Sequence, residues 1–279
     1  MAWAKGKRIL ITGANSGIGL ETARQLAGDQ AELLMVCRSK ERGEAAVQDI
    51  LSEHPKAAIT LHTADLSSSA SIKKLVAELE ASYDSLSLLI NNAGGMFYSR
   101  METEDGLEYS FGLNHMGYFR LTRGLIPLLK AAKEARIINV SSEAHRYASM
   151  NFNDLQSRRS YRAFGVYGQS KLANILFTRE LAGQLHGTSI TTASLHPGFV
   201  HTNFGHASQP GIFPNVFSYL ARTFGKTAHQ GAQTTVFLAR SDAIVSGGYY
   251  ANSSLRKPSR AARNDETAKK LWEVSETLA

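Results

Sequence analysis

Tyr167-Gly168-Gln169-Ser170-Lys171 sets a phenol and an ammonium four residues apart within a stretch of helical period. That spacing puts both side chains on one helix face. A free tyrosine has a pKa of about 10, too high for ready proton exchange at neutral pH. A neighbouring positive charge favours the phenolate. Such a pair can give a proton to a carbonyl oxygen while hydride reaches the carbon, or run the reverse. Alone, Tyr-x-x-x-Lys is common by chance. Ser141-Ser142 closes the run Ile137-Ile138-Asn139-Val140, where a hydroxyl can bond a substrate oxygen and stabilise developing charge. A serine pair that only turns the chain is the plainer reading. Asn114, set among Phe111, Leu113 and Met116, reads by itself as a satisfied core amide.

A second kind of chemistry lies near the start. Thr12-Gly13-Ala14-Asn15-Ser16-Gly17-Ile18-Gly19 follows an apolar run and opens a helical one. Its spacing is G-x-x-x-G-x-G. Gly13 permits a tight turn, Gly17 lets the backbone approach a pyrophosphate, and Gly19 allows helix and strand to pack closely. The helix N-terminus offers free N–H groups to phosphates, and Asn15 and Ser16 can cap it. Where a NAD site places a carboxylate at the end of the second strand, this chain has Cys37-Arg38-Ser39. A guanidinium suits a phosphate, so NADP(H) is expected over NAD(H).

The elements that must hold these residues follow from periodicity. Apolar runs at 8–12, 32–37, 59–63, 86–91, 136–141 and 190–195, with a short one at 248–251, read as strands. Helical patterns start near Ser16 and cover 40–51, 105–130 (kinked or ended at Pro127), 166–185, 227–240 and 265–278. Alternation of this kind makes a doubly wound α/β fold around a mostly parallel sheet. No repeat, low-complexity tract or linker divides residues 1–279, so one domain is expected. The long connections 142–165 and 197–226 follow strand ends, where open α/β sheets bind ligands.

Composition excludes several classes. Hydrophobic residues at 43% and charged residues at 20% fit a globular chain rather than a disordered one. The net charge of +7 is scattered apart from Arg158-Arg159-Arg162 and Arg256-Lys257-Arg260-Arg263, and reads as a solvated surface, not a nucleic-acid site. The single Cys37 excludes an internal disulfide. No run reaches the ~20 apolar residues of a membrane span, and residues 1–7 lead straight into a strand without room for a signal peptide. A soluble, cytoplasmic protein is expected. Nine histidines form no H-E-x-x-H and no Cys/His cluster, so no metal is assigned.

Taken in order, Thr12-Gly13-(x3)-Gly17-Ile18-Gly19, Asp65-Leu66, Asn91-Asn92-Ala93-Gly94, Asn114, Ser142, Tyr167-(x3)-Lys171 and Pro197-Gly198 resemble the short-chain dehydrogenase/reductase superfamily. The stretches Cys37-Arg38, Asn139–His145, Ser170–Thr178 and Leu195–Thr202 resemble its retinol dehydrogenase-like branch. The resemblance implies a seven-stranded sheet ordered 3-2-1-4-5-6-7. It implies Tyr167 as general acid/base and Lys171 as the group that lowers its pKa and holds the nicotinamide ribose. Ser142 would orient the substrate oxygen, and Asn114 would anchor a water linking Lys171 to solvent. Asp65 and Leu66 would border the adenine, while Asn91, Ala93 and Gly94 line the adenosine side. Pro197, Gly198, Val200 and Thr202 would contact the nicotinamide end. Many animal members of that branch begin with a membrane anchor, which residues 1–7 do not show.

The substrate loop of this resemblance falls at about 200–226. Ile212, Phe213, Val216, Phe217 and Leu220 suggest an apolar cleft for a lipophilic carbonyl or alcohol. The same 210–222 segment could instead rest on a membrane or form a homodimer contact. Met96, Phe97 and Tyr98 could complete the wall or simply pack. His196 and His201 flank Pro197-Gly198 as structural or cleft-lining groups. A catalytically inactive NADP-binding sensor or scaffold is the alternative from another class. The larger epimerase-like branch ranks lower, since its nucleotide turn is spaced differently.

Overall fold

The computed structural model describes residues 3–200 and 226–279. Eight strands form one sheet: β1 (Arg8–Thr12), β2 (Glu32–Cys37), β3 (Ala58–Thr63), β4 (Leu88–Asn91), β5 (Ala135–Val140), β6 (Ile190–His196), β7 (Gly248–Ala251) and β8 (Ser254–Arg256). Their order is β3-β2-β1-β4-β5-β6-β7-β8. The first seven pair in parallel, and β8 runs antiparallel to β7. The order reverses between β1 and β4, the switch point where such sheets open a crevice.

The eighth strand departs from the seven expected. Asn252 and Ser253 take φ of 49° and 55°, both left-handed as a two-residue hairpin turn requires. Only Ser254-Leu255-Arg256 follow, with Leu255 exposed, so no apolar run announces the strand.

Central strands are buried on both faces, which is why β4 and β5 read as continuous apolar runs. Alternation divides their side chains between two cores. Leu10, Leu34, Leu89 and Ile137 meet one helix layer, made of α3 (Ser69–Ser82), α5 (Gly117–Ala131), α6 (Ala163–Gln184) and α8 (Asp265–Thr277). Ile9, Leu33, Leu88 and Ile138 meet the other, made of α1 (Gly17–Gly28), α2 (Lys40–Glu53) and α7 (Ala228–Arg240). The α3 helix was not among the expected elements. It is nevertheless legible, because Ser68 caps it and Ile72, Leu75 and Leu79 supply its buried face.

The helix expected over 105–130 begins later and is not uniform. Glu108 is its N-cap, its carboxylate accepting from the N–H groups of Ser110 and Phe111 at 2.8 and 2.7 Å. A short α-turn, α4 (Tyr109–Phe111), passes into a π-helical turn (Gly112–Met116) before α5. Pro127 sits inside α5 without ending it. The π-turn carries Asn114 at its middle, a deviation of the kind that often marks functional helices. The 142–165 connection holds two 3-10 turns, Glu143–Tyr147 and Phe152–Asp154.

Candidate active site

A cleft of about 540 Å³ opens along the C-terminal ends of the central strands. It extends from Arg38 at the tip of β2 to Tyr167 and Lys171 on α6. At its floor Gly13 and Gly17 adopt φ of 64° and 54°, the left-handed region glycine takes without strain. A Cβ on Gly19 would lie 2.2 Å from the Gly13 carbonyl oxygen, so α1 packs directly on the turn. Ser16 is the N-cap of α1, but its side chain makes no capping bond. The first-turn N–H groups therefore face the cleft without a side-chain acceptor, as an anion site needs. Asn15, Ile18 and Gly19 complete this part of the lining.

The opposite wall comes from the end of β4. Thr12 Oγ1 accepts from the N–H groups of Asn92 and Ala93 at 2.9 and 3.0 Å. Asn92 Nδ2 donates to the Thr12 carbonyl at 2.8 Å, joining β4 to the glycine turn. Ala93 and Gly94 line the cleft as expected; Asn91 does not. Asn91 is fully buried, donating to Thr122 and Asn139 at 2.9 and 2.8 Å. Successive side chains of a strand point oppositely, so Asn92, passed over in the sequence, faces the site instead.

The Arg38 end of the cleft is polar and positive. Arg38 Nη1 donates to the Tyr109 hydroxyl at 3.1 Å and lies 4.0 Å from Asp65 Oδ2. Arg42 borders the same space, and no carboxylate stands at the end of β2. Asp65 is held by Ser67, whose N–H and hydroxyl donate to Oδ1 at 2.9 and 2.6 Å, and Leu66 lies beside it. Neither Tyr109 nor Arg42 carries a sequence signal of its own; only the fold brings them to Arg38.

At the other end the expected catalytic residues converge. Asn114 brackets the backbone of one residue, accepting from Gly95 N–H at 2.8 Å and donating to the Gly95 carbonyl at 2.9 Å. Its Nδ2 also donates to Ser170 Oγ at 2.9 Å. A Cβ on Gly94 would lie 2.8 Å from Asn114 Oδ1 and 3.2 Å from Lys171 Nζ, so the chain passes between the two. Lys171 Nζ donates to the Val140 carbonyl at 3.0 Å. The Tyr167 phenol hydrogen-bonds Ser142, and Met96 and Ala144 form an apolar cluster with its ring. Ser141 borders the cleft, but its hydroxyl donates to the Lys171 carbonyl at 2.7 Å. Ser142, the serine that meets the phenol, is the N-cap of its 3-10 turn.

Burial governs both titrating groups. It pushes the Tyr167 phenol up to about 12, with Ser142 acting in the opposite direction. It pushes the Lys171 ammonium down to about 7. The expected lowering of the Tyr167 pKa by Lys171 is therefore not a property of the protein groups alone. Nζ lies 5.9 Å from the Tyr167 ring centre and its charged form is itself disfavoured by burial.

Pro197 lines the cleft, whereas Gly198 and Val200 are not among its lining residues. Gly198 has φ of 92° and donates its N–H to His196 Nδ1 at 3.0 Å, so His196 is a structural partner of this turn. Val200 pairs with Lys226. Thr202, His201 and the 210–222 segment lie outside the described residues. Met96 and Phe97 line the cleft, while Tyr98 is partly exposed.

The model of the short chain dehydrogenase family matches residues 7–211. The chain belongs to that family, in its retinol dehydrogenase-like branch, and is an oxidoreductase of that class. It is similar to retinol dehydrogenase 14 of Homo sapiens, 40% identical over 289 residues that cover 98% of this chain and 86% of that protein. Among solved structures it resembles an uncharacterised protein from Mycobacterium paratuberculosis, with a TM-score of 0.80, 31% identity, and 98% and 93% of the two chains covered. It also resembles an NADPH-bound carbonyl reductase from chicken fatty liver, with a TM-score of 0.64, 25% identity, and 88% and 96% covered.

Proposed function

We propose that this protein is an NADP(H)-dependent oxidoreductase that interconverts a lipophilic aldehyde or ketone and its alcohol. The observation that carries the reading is the meeting of Tyr167, Ser142, Lys171 and Asn114 at one end of a glycine-floored cleft whose other end holds Arg38 and Arg42. Residues Gly13 to Gly19 fit the pyrophosphate of a dinucleotide by their left-handed turn and open helix N-terminus. Asp65, Leu66, Ala93 and Gly94 would hold its adenosine half, and Arg38 with Arg42 a ribose phosphate. When bound, the nicotinamide supplies or accepts hydride at the substrate carbon.

The chain's own groups handle the proton. Ser142 orients the substrate oxygen by a hydrogen bond, and Tyr167 gives that oxygen a proton or takes one from it. Lys171 holds the nicotinamide ribose, and its ammonium form favours the phenolate whenever Tyr167 has released its proton. Asn114 fixes the Gly94-Gly95 backbone beside Lys171 and anchors a water through which protons reach solvent.

An apolar substrate agrees with the surroundings. Met96 packs on Tyr167, and the exposed rings of Tyr147 and Phe164 lie 6.2 Å apart on the segments that carry Ser142 and Tyr167. The names of the similar proteins, a retinol dehydrogenase and a carbonyl reductase, agree with the same chemistry. A sensor or scaffold that only binds the cofactor would need no proton relay. A cytoplasmic site of action belongs to this proposal and is checked by cell fractionation. The functional test is a screen of lipophilic aldehydes, ketones and alcohols with NADPH or NADP⁺, following cofactor absorbance. Turnover with NADPH supports the proposal; binding of NADPH without turnover of any carbonyl or alcohol supports a sensor.

A further inference from the structure

Strands β5 and β6 run side by side as far as Val140 and Leu195. One more backbone bond follows, from the Ser141 N–H to the Leu195 carbonyl at 2.7 Å. Beyond it the two backbones part. Ser142 enters the 3-10 turn Glu143–Tyr147, and Pro197 has no N–H with which to continue the ladder. Side chains make the next link: His196 Nε2 lies 3.0 Å from Glu143 Oε2.

The backbone fixes where the imidazole proton sits. The Gly198 N–H donates to His196 Nδ1 at 3.0 Å, so Nδ1 presents its lone pair. The proton of the neutral ring is then on Nε2, aimed at the Glu143 carboxylate. Burial holds the His196 pKa below its ordinary value, with Glu143 pulling the other way. A neutral ring is what both bonds require. The turn that carries Glu143 is anchored by the same logic. The Ser259 N–H donates to His145 Nε2 at 3.2 Å, so His145 Nδ1 bears the proton and donates to the Ser142 carbonyl at 2.7 Å. The Tyr249 ring packs on both imidazoles, 5.1 Å from His145 and 6.2 Å from His196 between centroids.

We infer that Glu143 and His196 are positioning residues, a strut that holds the Pro197-Gly198 turn at a fixed separation from Ser142. The inference rests on the proposed function, in which Ser142 orients the substrate oxygen and Pro197-Gly198 borders the nicotinamide. Neither strut residue lines the cleft. The strut acts on the alignment of the two reactants rather than on the affinity for either, so its loss should appear in kcat. Glu143 is suited to the test because its side chain is 46% exposed and packs little of the core.

The experiment compares wild type with Glu143→Ala, Glu143→Gln, His196→Asn and the double variant Glu143→Ala/His196→Asn. Steady-state kinetics, NADPH affinity, amide exchange at Gly198 and 15N NMR of the histidine rings are measured. Asparagine can still accept the N–H two residues on, as in an Asx-turn, but is too short to bridge to Glu143. Glu143→Ala and His196→Asn should each lower kcat about fivefold or more, with NADPH Kd and carbonyl KM within about threefold of wild type. Glu143→Gln keeps an acceptor and should stay within about threefold in kcat. The double variant should be no slower than the slower single one, as for two residues of one link. In Glu143→Ala the Gly198 amide should exchange about threefold faster or more, and wild-type His196 should show the Nε2–H tautomer.

The strut is overturned by His196→Asn turning over at the wild-type rate, by losses that multiply in the double variant, or by the Nδ1–H tautomer in wild type. If His196→Asn does not fold, Glu143→Ala and Glu143→Gln decide by the same criteria. Tautomer and amide exchange need no turnover. A wild type that turns over no carbonyl contradicts the functional reading, and faster Gly198 exchange in Glu143→Ala then still supports the strut, whereas unchanged exchange overturns it.

Discussion

Asn114 Nδ2 donates a 2.9 Å hydrogen bond to Ser170 Oγ, joining the π-turn to the helix that carries Tyr167 and Lys171. Ser170 in turn donates to the Tyr167 carbonyl at 2.8 Å. The residue between the two reactive positions is therefore the brace that registers α6 against the π-turn. All three side chains are buried, so the brace works in a low-dielectric setting where a lost bond is felt.

Replacing Ser170 with alanine should leave one Asn114 donor unpaired. The expected loss of stability is about 1–3 kcal/mol, read by urea denaturation, accompanied by a lower kcat. A variant as stable and active as wild type would show that Ser170 only fills space.

Gly19→Ala should separate α1 from the glycine turn. Its Cβ would meet backbone, the Gly13 carbonyl oxygen at 2.2 Å, rather than a side chain able to swing away. NADPH affinity should fall about tenfold or more, since the helix N-terminus moves from its phosphate. Fluorescence titration of the cofactor measures this directly, and an unchanged Kd contradicts the role of the turn.

Arg38→Asp should invert cofactor preference. A charged hydrogen bond contributes about 1.5–3 kcal/mol, so NADPH affinity should drop about 10- to 100-fold while NADH binding holds or improves. Comparison of kcat/KM for the two cofactors gives the answer. An unaltered ratio would assign the phosphate contact elsewhere.

The buried lysine should make stability depend on pH in a defined direction. Its folded pKa of about 7 lies below the ordinary lysine value, so between about 7 and 10.5 the unfolded chain binds the extra proton. Stability contributed by this group therefore rises with pH across that window. Tyr167, raised to about 12, acts oppositely, but only above about 10. Urea midpoints at pH 7.5 and 9.5 should thus increase in wild type relative to Lys171→Met. Parallel pH profiles for the two proteins would refute the assignment.

Much of this site is written in the sequence because its parts sit at strand ends and at helix spacing. Gly13 and Gly17 announce a turn by their residue type, and Tyr167 and Lys171 share a face by their separation of four. The fold class follows from the alternation of buried strands and amphipathic helices. What could not be read depended on long-range placement. Only the strand's pleat decides between Asn91 and Asn92. Only the packed tertiary structure brings Tyr109 to Arg38 and Ser275 to His115. The π-turn was hidden inside a helical pattern, since its period differs from an α-helix over five residues alone. The eighth strand was hidden by its three partly exposed residues.

The most direct measurement is Tyr167→Phe, compared with wild type for carbonyl reduction with NADPH and for NADPH binding. The substitution removes one hydroxyl from a buried ring and leaves the cleft otherwise intact. Loss of the proton donor should lower kcat about 100- to 10,000-fold, with NADPH Kd within about threefold of wild type. A variant that still reduces the carbonyl at near the wild-type rate contradicts the account.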